Sequence, residues 1–115
     1  MTTGVMTTDA STRISEIRTT VGDRAAAEGI ARRLVGDRLA ACVQIDAGVE
    51  SVYRWKDAVE QSVEWRLTVK TSLGRTAECV ASLVEQHAYE IPEVLVSEFF
   101  ASPAYAEWVL RSTSP

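Results

Sequence analysis

Two strand-forming stretches stand back to back in the middle of the chain, and any fold it adopts has to accommodate both. The first covers 39–55. Its opening half, Leu39-Ala40-Ala41-Cys42-Val43-Gln44-Ile45, is the short apolar run that a strand buried on both faces needs. Its closing half, Val49-Glu50-Ser51-Val52-Tyr53-Arg54-Trp55, is rich in the β-branched and aromatic residues that suit a pleated surface. Gly48 divides the halves and predicts a bulge or bend. The second stretch, 59–71, alternates Val63, Trp65, Leu67 and Val69 with Glu64, Arg66, Thr68 and Lys70. With Lys56-Asp57-Ala58 as the turn, the pair predicts a long antiparallel ribbon, although this turn lacks the Gly or Asn that tight hairpins prefer.

Shorter patterns surround the ribbon. Residues 13–21 alternate, with Ser15, Ile17, Thr19 and Val21 facing one way and Ile14, Glu16, Arg18 and Thr20 the other. This is a strand whose second face is either wet or paired through its charges to a neighbouring strand. Gly22-Asp23 ends it, and Asp23 is placed to cap a helix with the apolar stripe Ala27, Ile30, Ala31, Leu34 and Val35. Gly29 and Gly36 weaken that helix by up to about 1 kcal/mol each relative to Ala, so its order has to come from packing on the sheet. A second helix covers about 73–87, with Ser72 as candidate cap and Thr76, Cys79, Val80, Leu83, Val84 and His87 on one stripe. Pro92 holds its predecessor extended, and 94–100 reads as a fourth strand. Ser102 as cap, followed by Pro103 at the first helical position, then opens a short helix with Tyr105, Trp108 and Val109 on one face. The order β-α-β-β-α-β plus a terminal helix is an α+β, ferredoxin-like arrangement over 13–115, with helices on one face of an antiparallel sheet. Residues 1–12, Thr-rich and without periodicity, are expected to form a disordered tail.

At 115 residues the chain makes one domain, and a net charge of -4 with Lys and Arg scattered among acids predicts neither nucleic acid nor membrane as a partner. No run approaches membrane-spanning length, and 1–11 carry none of the marks of a secretory signal, so cytoplasmic residence is expected. Cys42 and Cys79 lack CxxC spacing and read as reduced, packed thiols. No nucleophile elbow, HExxH or phosphate-binding loop is present, which points away from an enzyme.

Several segments in one collinear order carry a resemblance: Leu39-Ala40-Ala41-Cys42-Val43, Ser51-Val52-Tyr53-Arg54-Trp55, Glu64 with Lys70-Thr71, His87 with Tyr89, Pro92 and Glu93, and Tyr105 with Trp108. Together they resemble the CutA family of divalent cation tolerance proteins. The resemblance implies a tight homotrimer built like the PII signalling proteins, with no settled enzymatic reaction and a link to copper and other divalent metals. Tyr53, Trp55, Trp65 and Trp108 are the expected trimer contacts. Ribbon strands longer than the usual 5–6 residues, with edges left unpaired in so small a sheet, are an independent reason to expect assembly. Three departures from the family pattern stand out. The turn after Trp55 has no Gly, Ala88 stands where family members carry Pro, and the first strand bears Glu16 and Arg18.

Two kinds of site are open. A divalent ion such as Cu(II), not obligatory for the fold, would take His87 with Glu90 and Glu93 or with a group from another subunit. Cys79 and His87 share a stripe but stand about 12 Å apart along a helix, too far to chelate one ion. A single histidine without a spaced partner is a poor metal motif, and His87 reads first as a hydrogen-bonded residue at a helix end. The alternative is a sensor's pocket for a small anion or metabolite between subunits, made by Trp55, Glu64, Lys70, Thr71, Tyr89 and Glu93, in which Lys70 supplies the charge unless it pairs with Glu64 or Glu93.

Overall fold

The computed structural model describes residues 12–115. The tail expected over 1–12 therefore lies, through residue 11, outside the described residues. Thr12 itself is buried, and its carbonyl accepts from the Ala101 N–H at 2.9 Å.

The elements follow the expected order: β1 (Arg13–Val21), α1 (Arg24–Gly36), β2 (Cys42–Trp55), β3 (Ala58–Thr71), a single 3₁₀ turn (Leu73–Arg75), α2 (Thr76–Gln86), β4 (Leu95–Phe100) and α3 (Pro103–Ser112). All four strands pair antiparallel in the spatial order β2-β3-β1-β4. The fold is α+β and ferredoxin-like.

One face of the sheet carries Ile17, Val21, Leu67 and Val69 and packs against Ala27, Ile30 and Leu34 of α1 and Cys79 and Leu83 of α2. The Asp23 carboxylate caps α1 by accepting from the Ala26 N–H at 2.7 Å. Val35 and Val84, counted on the helical stripes, are exposed, because each lies at the margin of a stripe narrower than the spacing suggested. On the other face, α3 covers only one end of the sheet, through Ile14, Ala106 and Val109. Glu16 and Arg18 on that face pair with each other at 3.1 Å, along the strand rather than across it.

Four local expectations are corrected. Ser72 does not cap the second helix: its oxygen accepts from the Thr113 hydroxyl at 2.9 Å, and a 3₁₀ turn precedes the α-helix at Thr76. Ser102 likewise makes no side-chain cap bond. Ala58 belongs to β3, opposite Trp55, so the turn is only Lys56-Asp57, with φ of 48° and 66°. Both lie in the left-handed region that a type I′ hairpin requires, reached here without Gly or Asn. Val63, expected to face inward with Trp65, is 54% exposed, since β1 stops pairing at Trp65 and the ribbon beyond it stands clear of the sheet.

Candidate functional site

The bulge at Gly48 decides which side chains the projecting ribbon shows. Before it, Val43 and Ile45 pair with Val69 and Leu67, facing the helices; after it, Val49 pairs with Glu64 and Tyr53 with Glu60. Two residues, Ala47 and Gly48, stand where one would, so the alternation slips by one and Val49, Ser51, Tyr53 and Trp55 turn to the opposite face. Gly48 makes this possible at φ +73°.

On that face lies a groove of about 880 Å³, walled by Tyr53, Trp55, Glu64 and Arg66 of the ribbon and by the 88–93 segment after α2. His87 holds this segment down. Its Nδ1 accepts from the Tyr89 N–H at 3.1 Å, so in the neutral ring Nε2 carries the proton and donates to the Thr20 carbonyl at 2.9 Å, with the Thr19 hydroxyl at 3.1 Å. The Tyr89 ring packs on His87 with centroids 4.8 Å apart, and its hydroxyl donates to Glu64 Oε2 at 2.8 Å. Burial first, then this bond to Glu64, pushes the Tyr89 hydroxyl up to about 12, so it stays a donor. A Cβ on Gly22 would stand 3.3 Å from that hydroxyl, so the residue read only as a strand end also makes room for Tyr89.

The expected pocket is thus divided. Trp55, Glu64, Tyr89 and Glu93 line one groove, whereas Lys70 and Thr71 lie outside it. Lys70 pairs with neither Glu64 nor Glu93; its Nζ sits 5.9 Å from the Tyr105 ring centre, under α3. Thr71 is fully buried and donates to the Leu39 carbonyl at 2.7 Å. Without Lys70 the groove has, among the described residues, four glutamates, Glu50, Glu64, Glu90 and Glu93, against one cation, Arg66, a balance that repels anions.

His87, Glu90 and Glu93 share one segment, yet among the described residues no group of three or more His, Cys, Asp or Glu is placed to hold one ion. Both His87 nitrogens are already hydrogen-bonded, so metal at Nδ1 requires release of the Tyr89 N–H. Burial pushes the Cys79 thiol up to about 11, which keeps it protonated and a poor ligand. Of the expected subunit contacts, Trp65 is half-buried against the core, Trp55 lines the groove, and Tyr53 and Trp108 are exposed, the last packed on Tyr105 at 5.5 Å.

The family profile of the CutA1 divalent ion tolerance protein matches residues 15–112, which takes in the groove and all of the sheet except the first two residues of β1. The chain belongs to the CutA1 family. It is 36% identical over 95 residues to the chloroplastic protein CutA of Arabidopsis thaliana, covering 82% of this chain and 52% of that one. The chain spans about half the length of the plant relatives it matches. The crystal structure of the divalent ion tolerance protein CutA1 from Ehrlichia chaffeensis superposes with a TM-score of 0.85 at 25% identity, covering 89% of this chain and 96% of that one. The periplasmic divalent cation tolerance protein CutA of Archaeoglobus fulgidus has a TM-score of 0.84 at 26% identity, covering 88% and 99%. CutA1 proteins thus carry names from different compartments. Among the described residues of this chain, no helix is long and apolar enough to cross a membrane.

Proposed function

We propose that this chain, with 13–115 as its one domain, is the subunit of a cytoplasmic, non-enzymatic homotrimer that binds a divalent cation such as Cu(II) in a metal-tolerance role. The observation that carries the cation reading is the charge of the groove, four glutamates against one arginine, in a member of a family named for divalent ion tolerance. Glu90 and Glu93 are the ligands at its rim, completed by a group from the neighbouring subunit, because one protomer lacks a converging set. His87 joins them only by giving up the Tyr89 N–H, and otherwise holds the segment that presents them.

Assembly is supported by the edges of the sheet. Among the described residues β4 pairs only with β1 and β2 only with β3, so each has an open side, and all six β4 residues are exposed. Leu95 and Phe99 on one face and Val96 and Phe100 on the other are exposed apolar side chains at this edge, of the kind a soluble chain covers by association.

The test is Cu(II) affinity by chelator competition on the intact protein, on Glu90→Gln/Glu93→Gln and on His87→Ala. Stoichiometric binding that the double substitution weakens by about tenfold or more supports the site. Weak binding, or equal affinity in the double variant, removes the metal reading. Light scattering gives the mass of three chains if the assembly is correct.

A further inference from the structure

The chain has two cysteines and two lysines, and the fold sets one of each face to face. Cys42 of β2 and Lys70 of β3 are direct partners across the antiparallel ladder, so their side chains leave the same face of the sheet with Cβ atoms about 4.5–5.5 Å apart. Both are half-buried, at the end of the sheet that α3 covers. The Lys70 ammonium is in no ion pair among the described residues. Glu16, its partner on β1, is engaged by Arg18 at 3.1 Å, and Lys70 Nζ lies 5.9 Å from the Tyr105 ring centre instead. Neither Cys42 nor Lys70 lines the groove.

The other cysteine and lysine lack this arrangement. Cys79 is fully buried, and burial pushes its thiol up to about 11. Lys56 stands exposed in the ribbon turn, at the opposite end of β2 from Cys42.

A thiol and an amine so placed can do in succession what neither does well alone. The thiolate is the better nucleophile toward an activated carbonyl. Once that carbonyl is held beside the amine, the second attack is intramolecular and proceeds at a high effective concentration.

We propose that Lys70 is a site of self-acylation by acyl thioesters of the coenzyme A type, with Cys42 receiving the acyl group first. The Cys42 thiolate attacks the thioester carbonyl, a bond to Cys42 Sγ forms, and the bond to the carrier sulfur breaks. The carrier leaves as a thiolate and takes a proton from water. The Lys70 amine, its ammonium proton already lost to water, then attacks the same carbonyl. The bond to Cys42 Sγ breaks, the thiolate is restored, and the amine gives up a second proton as the amide forms. The net change is thioester and ammonium to amide, carrier thiol and one proton. The product lacks the positive charge that leans on Tyr105. The inference goes beyond the metal reading and does not depend on it, since both residues belong to one protomer and lie outside the proposed ligands.

The full, assembled chain incubated with acetyl-coenzyme A in mildly alkaline buffer, with each site followed by peptide mass spectrometry, tests it. Lys70 is expected to acetylate about tenfold or more faster than Lys56, and Cys42→Ala to bring it down to the rate of Lys56. In Lys70→Arg the acetyl group is expected to accumulate on Cys42 as a thioester that hydroxylamine removes, whereas the amide on Lys70 of the parent resists it. Acetic anhydride, which acylates amines directly, labels Lys70 equally in the parent and in Cys42→Ala, so that loss of access is told apart from loss of the thiol; circular dichroism verifies the fold. Equal rates at the two lysines, acetylation of Lys70 unchanged in Cys42→Ala, or no thioester on Cys42 in Lys70→Arg overturns the inference.

Discussion

Tyr89 is the residue through which the groove is built, and three others serve its position. His87 accepts from its backbone N–H, Glu64 accepts from its hydroxyl, and Gly22 leaves space beneath it. Tyr89→Phe removes a hydrogen-bond donor to the buried Glu64 carboxylate and is expected to destabilise the protein by about 1 to 2 kcal/mol, measured by urea unfolding. The pH dependence has a definite sign. The hydroxyl is raised from 10.0 to about 12 in the fold, so the unfolded chain ionises first; the stabilisation is complete below pH 10 and is lost as pH rises through about 12. The stability gap between wild type and Tyr89→Phe should therefore be level through neutral pH and shrink only in alkali. A gap that changes near neutrality would assign it to another group. Tyr89, His87 and Glu64 were visible in the sequence as candidates, but the role of Gly22 was not, since nothing local distinguishes a glycine that ends a strand from one that also admits a distant ring.

The ribbon turns on its bulge. Strict alternation from Val43 and Ile45 would carry Tyr53 and Trp55 to the helix-facing side, and the extra residue at Ala47-Gly48 sends them to the side of Glu64 instead. Gly48→Val places a β-branched residue at φ +73° and is expected to cost about 1 to 3 kcal/mol by chemical denaturation. A variant as stable as the parent would show that the bulge does not depend on the left-handed backbone. At the far end, Lys56 and Asp57 adopt positive φ without glycine, and the Lys56 ammonium lies 5.5 Å from the Trp55 ring centre, a contact that favours this turn. Gly48 announced the bulge in the sequence. The change of face did not follow from it, because that depends on how many residues of β2 oppose each residue of β3.

As a molecule, the protomer is elongated, 52 × 26 × 23 Å, with the ribbon projecting and two strand edges open. On β4, where Phe99 and Phe100 close the strand, the apolar side chains are exposed. Under the proposed assembly, Phe99→Glu puts a charge into a covered surface and is expected to reduce the scattering mass from three chains to one while the circular dichroism of the fold is kept. An unchanged mass would move the contact to other surfaces. The charge balance of the groove also belongs to this level, because Glu64 and Arg66 come from β3 and Glu90 and Glu93 from a segment more than twenty residues later.

Periodicity and turn chemistry in the sequence determined the element order, the α+β class, the ribbon and the Asp23 cap, since these depend on neighbours a few residues apart. The collinear motifs pointed to the family that residues 15–112 match. What only the tertiary structure decided is which of the candidate residues meet. Lys70 and Thr71 are next to each other in the chain and belong to no common pocket with Tyr89, because α3 covers their end of the sheet and successive side chains of a strand point to opposite faces. His87 was legible as a helix-end residue, yet the occupation of both its nitrogens required Thr20 and Tyr89 to be brought to it by β1 and the turn of the chain. Contacts across dozens of residues arise from packing, and packing is a property of the whole sheet, not of any stretch of it.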